Sequence, residues 1–106
     1  MIISTTETLS GHKVDKHLGL VWGTIVRSRH LGHDMLAMLK SLKGGDIRSY
    51  ENLTDRARAD ALAKLEQNAK SQGADAVIGV RLGTTALMPG MVEVYAYGTA
   101  VKLKKA

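Results

Sequence analysis

Apolar and polar positions along this chain follow two different periods, and the change of period marks the elements. From Tyr50 to Gln72 apolar residues recur every three or four positions. At about 100° per residue, Tyr50, Leu53, Ala57, Ala61, Leu62, Leu65 and Ala69 fall in one stripe, with Arg56, Asp60, Glu66, Gln67 and Lys70 opposite. No Gly or Pro interrupts the segment and alanines are frequent, so it predicts one amphipathic helix of roughly 35 Å. Ser49 is placed to cap its start, Glu51 lies in the first turn where the helix dipole favours an acid, and Gly73 is the natural stop. Alanines on the inner stripe would let this helix lie close to a sheet.

Beyond Gly73 the period falls to two. Ala76, Ile78, Val80 and Leu82 alternate with Val77, Gly79 and Arg81 as a strand requires. Met88-Pro89-Gly90-Met91 reads as a turn, and Val92 to Leu103 as a last strand with Val94, Ala96 and Ala100 on one face and Tyr95, Tyr97, Val101 and Leu103 on the other. Upstream, Ile2 to Thr6 reads as a short first strand. Thr8 to His17 is polar, with Gly11 as a turn signal. Leu18 to Arg29 predicts a second strand, with Leu18, Leu20, Trp22 and Val26 on one face and Val21 and Ile25, beside Gly19 and Gly23, on the other. Asp34 can cap a short helix from Met35 to about Lys43, ended by Gly44-Gly45.

This order predicts the α+β class: an antiparallel sheet of about four strands, with one long helix and a short helix packed on one face, in a single domain spanning residues 1–106. The strands carry apolar side chains on both sides, yet one long helix covers only one side. A bare apolar sheet face is a patch that monomers avoid, so the second face is expected to be a subunit interface.

Composition trims the choices. The chain has 106 residues, one domain by length, and no run of eighteen apolar residues that would span a membrane. Its start lacks a basic region followed by an apolar block, and the expected compartment is the cytoplasm. With no cysteine there is no disulfide, thiolate zinc site or cysteine nucleophile. The net charge of +5 raises the question of nucleic acid. Its clusters, Arg27-Ser28-Arg29-His30 and Lys102-Leu103-Lys104-Lys105, are not interleaved with aromatics as a stacking platform needs, so a solvated basic surface is the expectation and nucleic acid is not.

Five blocks carry a resemblance: residues 19–26 (GLVWGTIV), Gly44-Gly45-Asp46-Ile47 leading to Tyr50, residues 57–61 (ARADA), residues 73–81 (GADAVIGVR) and residues 96–101 (AYGTAV). Together they resemble the YbjQ-like family of small bacterial proteins, in the family's order and across nearly the whole chain. Asp46 stands where Glu is expected. The resemblance implies an α+β subunit that assembles into a homo-pentamer, sheets forming a central barrel with helices outside. It implies no catalytic residues, and the family is sometimes described as heavy-metal-binding.

Candidate chemistry is sparse. His30, His33 and Asp34 form a two-imidazole, one-carboxylate set suited to a divalent ion such as Zn, Ni or Cu. Gly32 between the histidines favours a loop, and Asp34 already serves as a helix cap, so no resident cofactor is expected. His12 and His17 read as surface residues. Arg58 lies at the edge of the apolar stripe and is expected to form a structural ion pair, with Asp75 or Glu93 as partner. Gly98, between Tyr97 and Thr99, would permit close approach of a strand or subunit. Gly44-Gly45 lacks the Lys-Ser/Thr of a phosphate loop, and no Gly-x-Ser-x-Gly elbow occurs, so no ordinary enzyme is indicated.

Overall fold

The computed structural model describes residues 1–28 and 47–106, with helix side chains from Glu51 onward. Its elements are β1 (Ile2–Ile3), β2 (His12–Ser28), α1 (Ile47–Ser71), β3 (Ala76–Met88) and β4 (Met91–Lys105), in a sheet of order β1-β3-β4-β2. The short helix expected from Met35 to Lys43 lies outside the described residues.

α1 forms where the apolar stripe lies. Ala57, Ala61, Leu65 and Ala69 are fully buried, with Leu53 and Leu62 packed beside them. The helix starts at Ile47 rather than Tyr50, so Ser49 lies within it and not at its cap. Nothing after Gly45 breaks a helix, and the first turn extends back accordingly. Its end follows expectation. Gly73 takes φ 79°, its N–H donates to Lys70 O at 2.9 Å, and the Ala74 N–H donates to Ala69 O at 3.1 Å. These are the two bonds of a Schellman stop, in which a left-handed residue satisfies otherwise orphaned carbonyls.

The sheet is mixed rather than wholly antiparallel. β4 pairs antiparallel with both β2 and β3, whereas β1 runs parallel to β3, with Ile2 opposite Ala76. β2 and β3 therefore run the same way with β4 between them, and α1 crosses over one face. The β3–β4 turn is Pro89-Gly90, with Gly90 at φ 76°, where proline presets φ and glycine accepts the positive value.

β2 is longer than expected, opening at His12 instead of Leu18. Its polar first third is held as strand because the tail of β4 lies beside it, with Val14 opposite Leu103 and His17 opposite Val101. A register shift between His17 and Gly19 changes the alternation, so Leu18 packs with the helix-side core and not beside Leu20 and Trp22. β1 stops at Ile3, shorter than expected, although Ser4 and Thr6 still accept N–H bonds from Val80 and Gly79.

The core between α1 and the sheet holds Val21, Val77, Val80, Val92, Val94, Ala96 and Ala100 against the helix's alanines and Leu65. At Gly23 the two layers meet backbone to backbone: a Cβ there would lie 2.6 Å from Leu65 N and 2.7 Å from Ala61 O. Gly23→Ala is accordingly expected to destabilise the protein by about 1–3 kcal/mol or more, since a helix backbone cannot yield as a side-chain tip does. Ala63→Ser, on an exposed helix position, should stay within about 0.5 kcal/mol of the parent. Urea unfolding at one fixed protein concentration checks both, and equal midpoints for the two variants would contradict the contact.

Candidate functional site

The odd-numbered residues of β4 point away from α1, and register carries that face across the sheet. Tyr97 stands opposite Trp22 on β2 and Arg81 on β3; Tyr95 stands opposite Thr24 and Gly83; Thr99 stands opposite Leu20, and Glu93 opposite Val26. The result is an apolar, aromatic-rich face with few charges. Leu20 is 62% exposed, Trp22 59% and Tyr97 43%, with Val26 and Tyr95 exposed beside them. The Tyr95 and Tyr97 rings stack, centroids 6.2 Å apart and planes at 21°. The Tyr95 ring lies over Gly83, where an added Cβ would collide with it.

One end of this face is covered by the chain itself. Leu9, from the segment between β1 and β2, packs on Ala76, Ile78 and Val101, with Val14 and Leu103 alongside. Arg81 ties the same segment down by donating to Thr5 O at 3.0 Å. The middle of the face, around Trp22 and Tyr97, remains bare. The outer edge of β2 is partly closed from the helix side: Asn68 Nδ2 donates to Trp22 O at 2.7 Å and Lys64 Nζ to Thr24 O at 3.2 Å. Arg27, farther along, donates from Nε and Nη2 to Asp60 Oδ2.

Open clefts of similar size flank these features among the described residues. One of about 310 Å³ lies between Leu20, Trp22 and the end of α1 at Ser71 and Gln72. A second of about 320 Å³ is lined by Glu7, Leu9, His12, His17 and Leu103. A third of about 330 Å³ lies along α1 at Glu51, Asp55 and Arg58. Among the described residues no three His, Asp or Glu side chains are placed to hold a metal.

His30, His33 and Asp34 lie outside the described residues. His12 and His17 are exposed, and His12 Nδ1 lies 3.1 Å from Ser10 O. The partner of Arg58 differs from expectation. Its Nη1 lies 3.4 Å from Asp55 Oδ1, one turn back on the same helix, and its side chain is half exposed. Asp75 instead accepts the Leu103 N–H at 2.9 Å. The wheel placed Arg58 at the stripe's edge, but the alanines leave the helix too narrow there to bury a guanidinium. At Gly98 the close approach is by a strand: a Cβ would meet Val77 Cγ1 at 2.8 Å and Ile78 O at 2.9 Å. Sequence reading missed the covering role of Leu9, for which an isolated leucine among polar residues is a weak signal.

A small α+β protein with one exposed, aromatic-rich sheet face is the class that these features define. Residues 1–104 match the family described as "Putative heavy-metal-binding", the YbjQ-like proteins, and the chain belongs to that family. Relatives share most of its sequence length. A "UPF0145 protein" of Psychromonas ingrahamii is 48% identical over 105 residues, covering 99% of this chain and all of that one. Another, of Dehalococcoides mccartyi, is 48% identical over 101 residues, 95% of this chain and 97% of that one. The fold is shared with a crystal structure of a DUF74-family protein of unknown function from Pediococcus pentosaceus, at a TM-score of 0.69 and 20% identity over 98% of both chains.

Because Arg58 is half exposed and, among the described residues, pairs with Asp55 one turn away, Arg58→Ala should change stability by less than about 0.5 kcal/mol, the scale of an exposed helix pair. A loss above about 2 kcal/mol in thermal or urea unfolding would mean that the guanidinium has a buried partner.

Proposed function

We propose that this chain is a non-enzymatic subunit of a closed cytoplasmic homo-oligomer, joined through the bare sheet face, with any small ligand held in clefts between copies. The observation that carries the reading is the continuous exposure of Leu20, Trp22, Val26, Tyr95 and Tyr97 on one face. Each such side chain contributes about 1.5–3 kcal/mol when it leaves water completely. Aromatic residues with few charges at the centre and Arg81 and Glu93 at the margin also match the anatomy of a protein interface. A second copy supplies a matching apolar face. A ring of five is the number that the family resemblance implies.

Light scattering tests this reading. The parent is expected at a multiple of its 11.4 kDa subunit mass at micromolar concentration. Trp22→Glu/Tyr97→Glu should appear at the subunit mass while keeping its circular dichroism, because both side chains are exposed within the subunit. A parent that is monomeric at that concentration contradicts the proposal.

A second reading, favoured by the family's description, is divalent metal binding through His30, His33 and Asp34. Two imidazoles and a carboxylate leave coordination positions for water or a neighbouring copy. It requires a fixed ratio of zinc, nickel or copper per subunit in protein purified without chelator or tag. That ratio should be lost in His30→Ala/His33→Ala with the oligomeric mass unchanged. Absence of any fixed ratio in the parent contradicts this second reading.

A further inference from the structure

The register of the long β2–β4 ladder joins basic residues that lie far apart in sequence. Lys13 stands directly opposite Lys104, and Lys16 directly opposite Lys102. Ala100, two residues before Lys102, belongs to the helix-side core, so alternation puts all four lysines on the helix side of the sheet. α1 does not reach them: it ends at Ser71, level with Leu20, and all four are exposed.

Like charges placed directly across a ladder oppose its pairing. Here the register is held against that repulsion by Val14 opposite Leu103 on the other face. Several other cations have acids, as Arg27 has Asp60, Arg58 Asp55 and Lys70 Glu66, while Lys64 and Arg81 donate to backbone carbonyls. In the tetrad, Asp15 approaches Lys104 at 3.8 Å, and among the described residues Lys13, Lys16 and Lys102 have no acidic partner within 4 Å.

We infer that this lysine tetrad is a docking surface for the phosphate backbone of duplex nucleic acid. A duplex presents about one negative charge per 1.7 Å of its axis, which favours a compact group of ammonium charges. Among the described residues no exposed Trp, Tyr or large aliphatic side chain adjoins the tetrad, and the exposed His12 and His17 on the same strand belong by register to the sheet's other face, so the tetrad itself offers no ring to stack on an unpaired base and no apolar group to insert into a membrane. With lysines alone, contact is to phosphates and indifferent to base sequence. The surface is independent of the bare aromatic face, which lies on the sheet's other side.

Fluorescence anisotropy of a labelled duplex DNA, titrated with the full chain at several salt concentrations, tests the inference. Lys13→Gln/Lys16→Gln/Lys102→Gln is compared with Arg56→Gln/Arg58→Gln/Lys70→Gln, which removes the same charge from the exposed side of α1. The parent should bind, with log K falling linearly in log salt. The tetrad variant should bind at least about tenfold more weakly, with a salt slope shallower by about 2–3, as for three lost phosphate contacts. The helix variant should stay within about threefold of the parent. Relief of repulsion should leave the tetrad variant's unfolding midpoint equal to or above the parent's, so lost binding cannot be ascribed to lost folding. Equal losses in both triple variants, no binding by the parent in low salt, or preference for phosphatidylserine vesicles over DNA would each overturn the assignment.

Discussion

At Gly23 the backbone of α1 rests on the backbone of β2, with room for no Cβ between them, and the rest of the fold is arranged around that contact. It requires Ala57, Ala61 and Ala69 on the helix's inner face, because larger side chains would hold the layers near the usual spacing. A helix seated so closely has a narrow footprint. It covers β2 and β4, while Leu82 on β3 remains exposed although it faces the same side. The helix also reaches over the edge of β2, where Asn68 and Lys64 occupy outward carbonyls that another strand would otherwise use. Edge pairing at Trp22 and Thr24 is thereby discouraged, and the broad face behind them is the more open route to association.

That face shows how one sheet is divided among several tasks. Leu9 closes one end over Ala76, Ile78 and Val101, where the chain satisfies its own apolar surface. The centre, with Trp22 opposite Tyr97, has no such cover. At the end that Leu9 closes, the helix side of the ladder is polar instead, with lysine meeting lysine across it. Apolar contacts on one surface of a strand can hold a repulsive register on the other, because alternation makes the two surfaces separate environments.

Much of this was legible in the sequence. The spacing of Leu53, Ala57, Ala61, Leu65 and Ala69 gave the buried helix face, Gly73 its end, and the two-sided strands the bare face. What escaped was set by long-range pairing. His12 to His17 reads as polar loop because its strand partner lies some ninety residues later in the chain, and the same distance hid the apposition of Lys13 and Lys16 with Lys104 and Lys102. Register shifts moved Leu18 to the core side, which a uniform period of two cannot express. Arg58 was misplaced for a different reason. A helical wheel gives angle but not depth, and beside alanines the stripe's edge is still in water.

The bare face carries the chain's single tryptophan, which makes its environment directly measurable. Acrylamide quenching of Trp22 in the parent at micromolar concentration, with Trp emission recorded alongside, tests whether another copy covers that face. The expected result is a shielded indole with blue-shifted emission, becoming readily quenched and red-shifted in Tyr97→Glu. An indole in the parent that is quenched as freely as a water-exposed model compound, at every concentration, would contradict it.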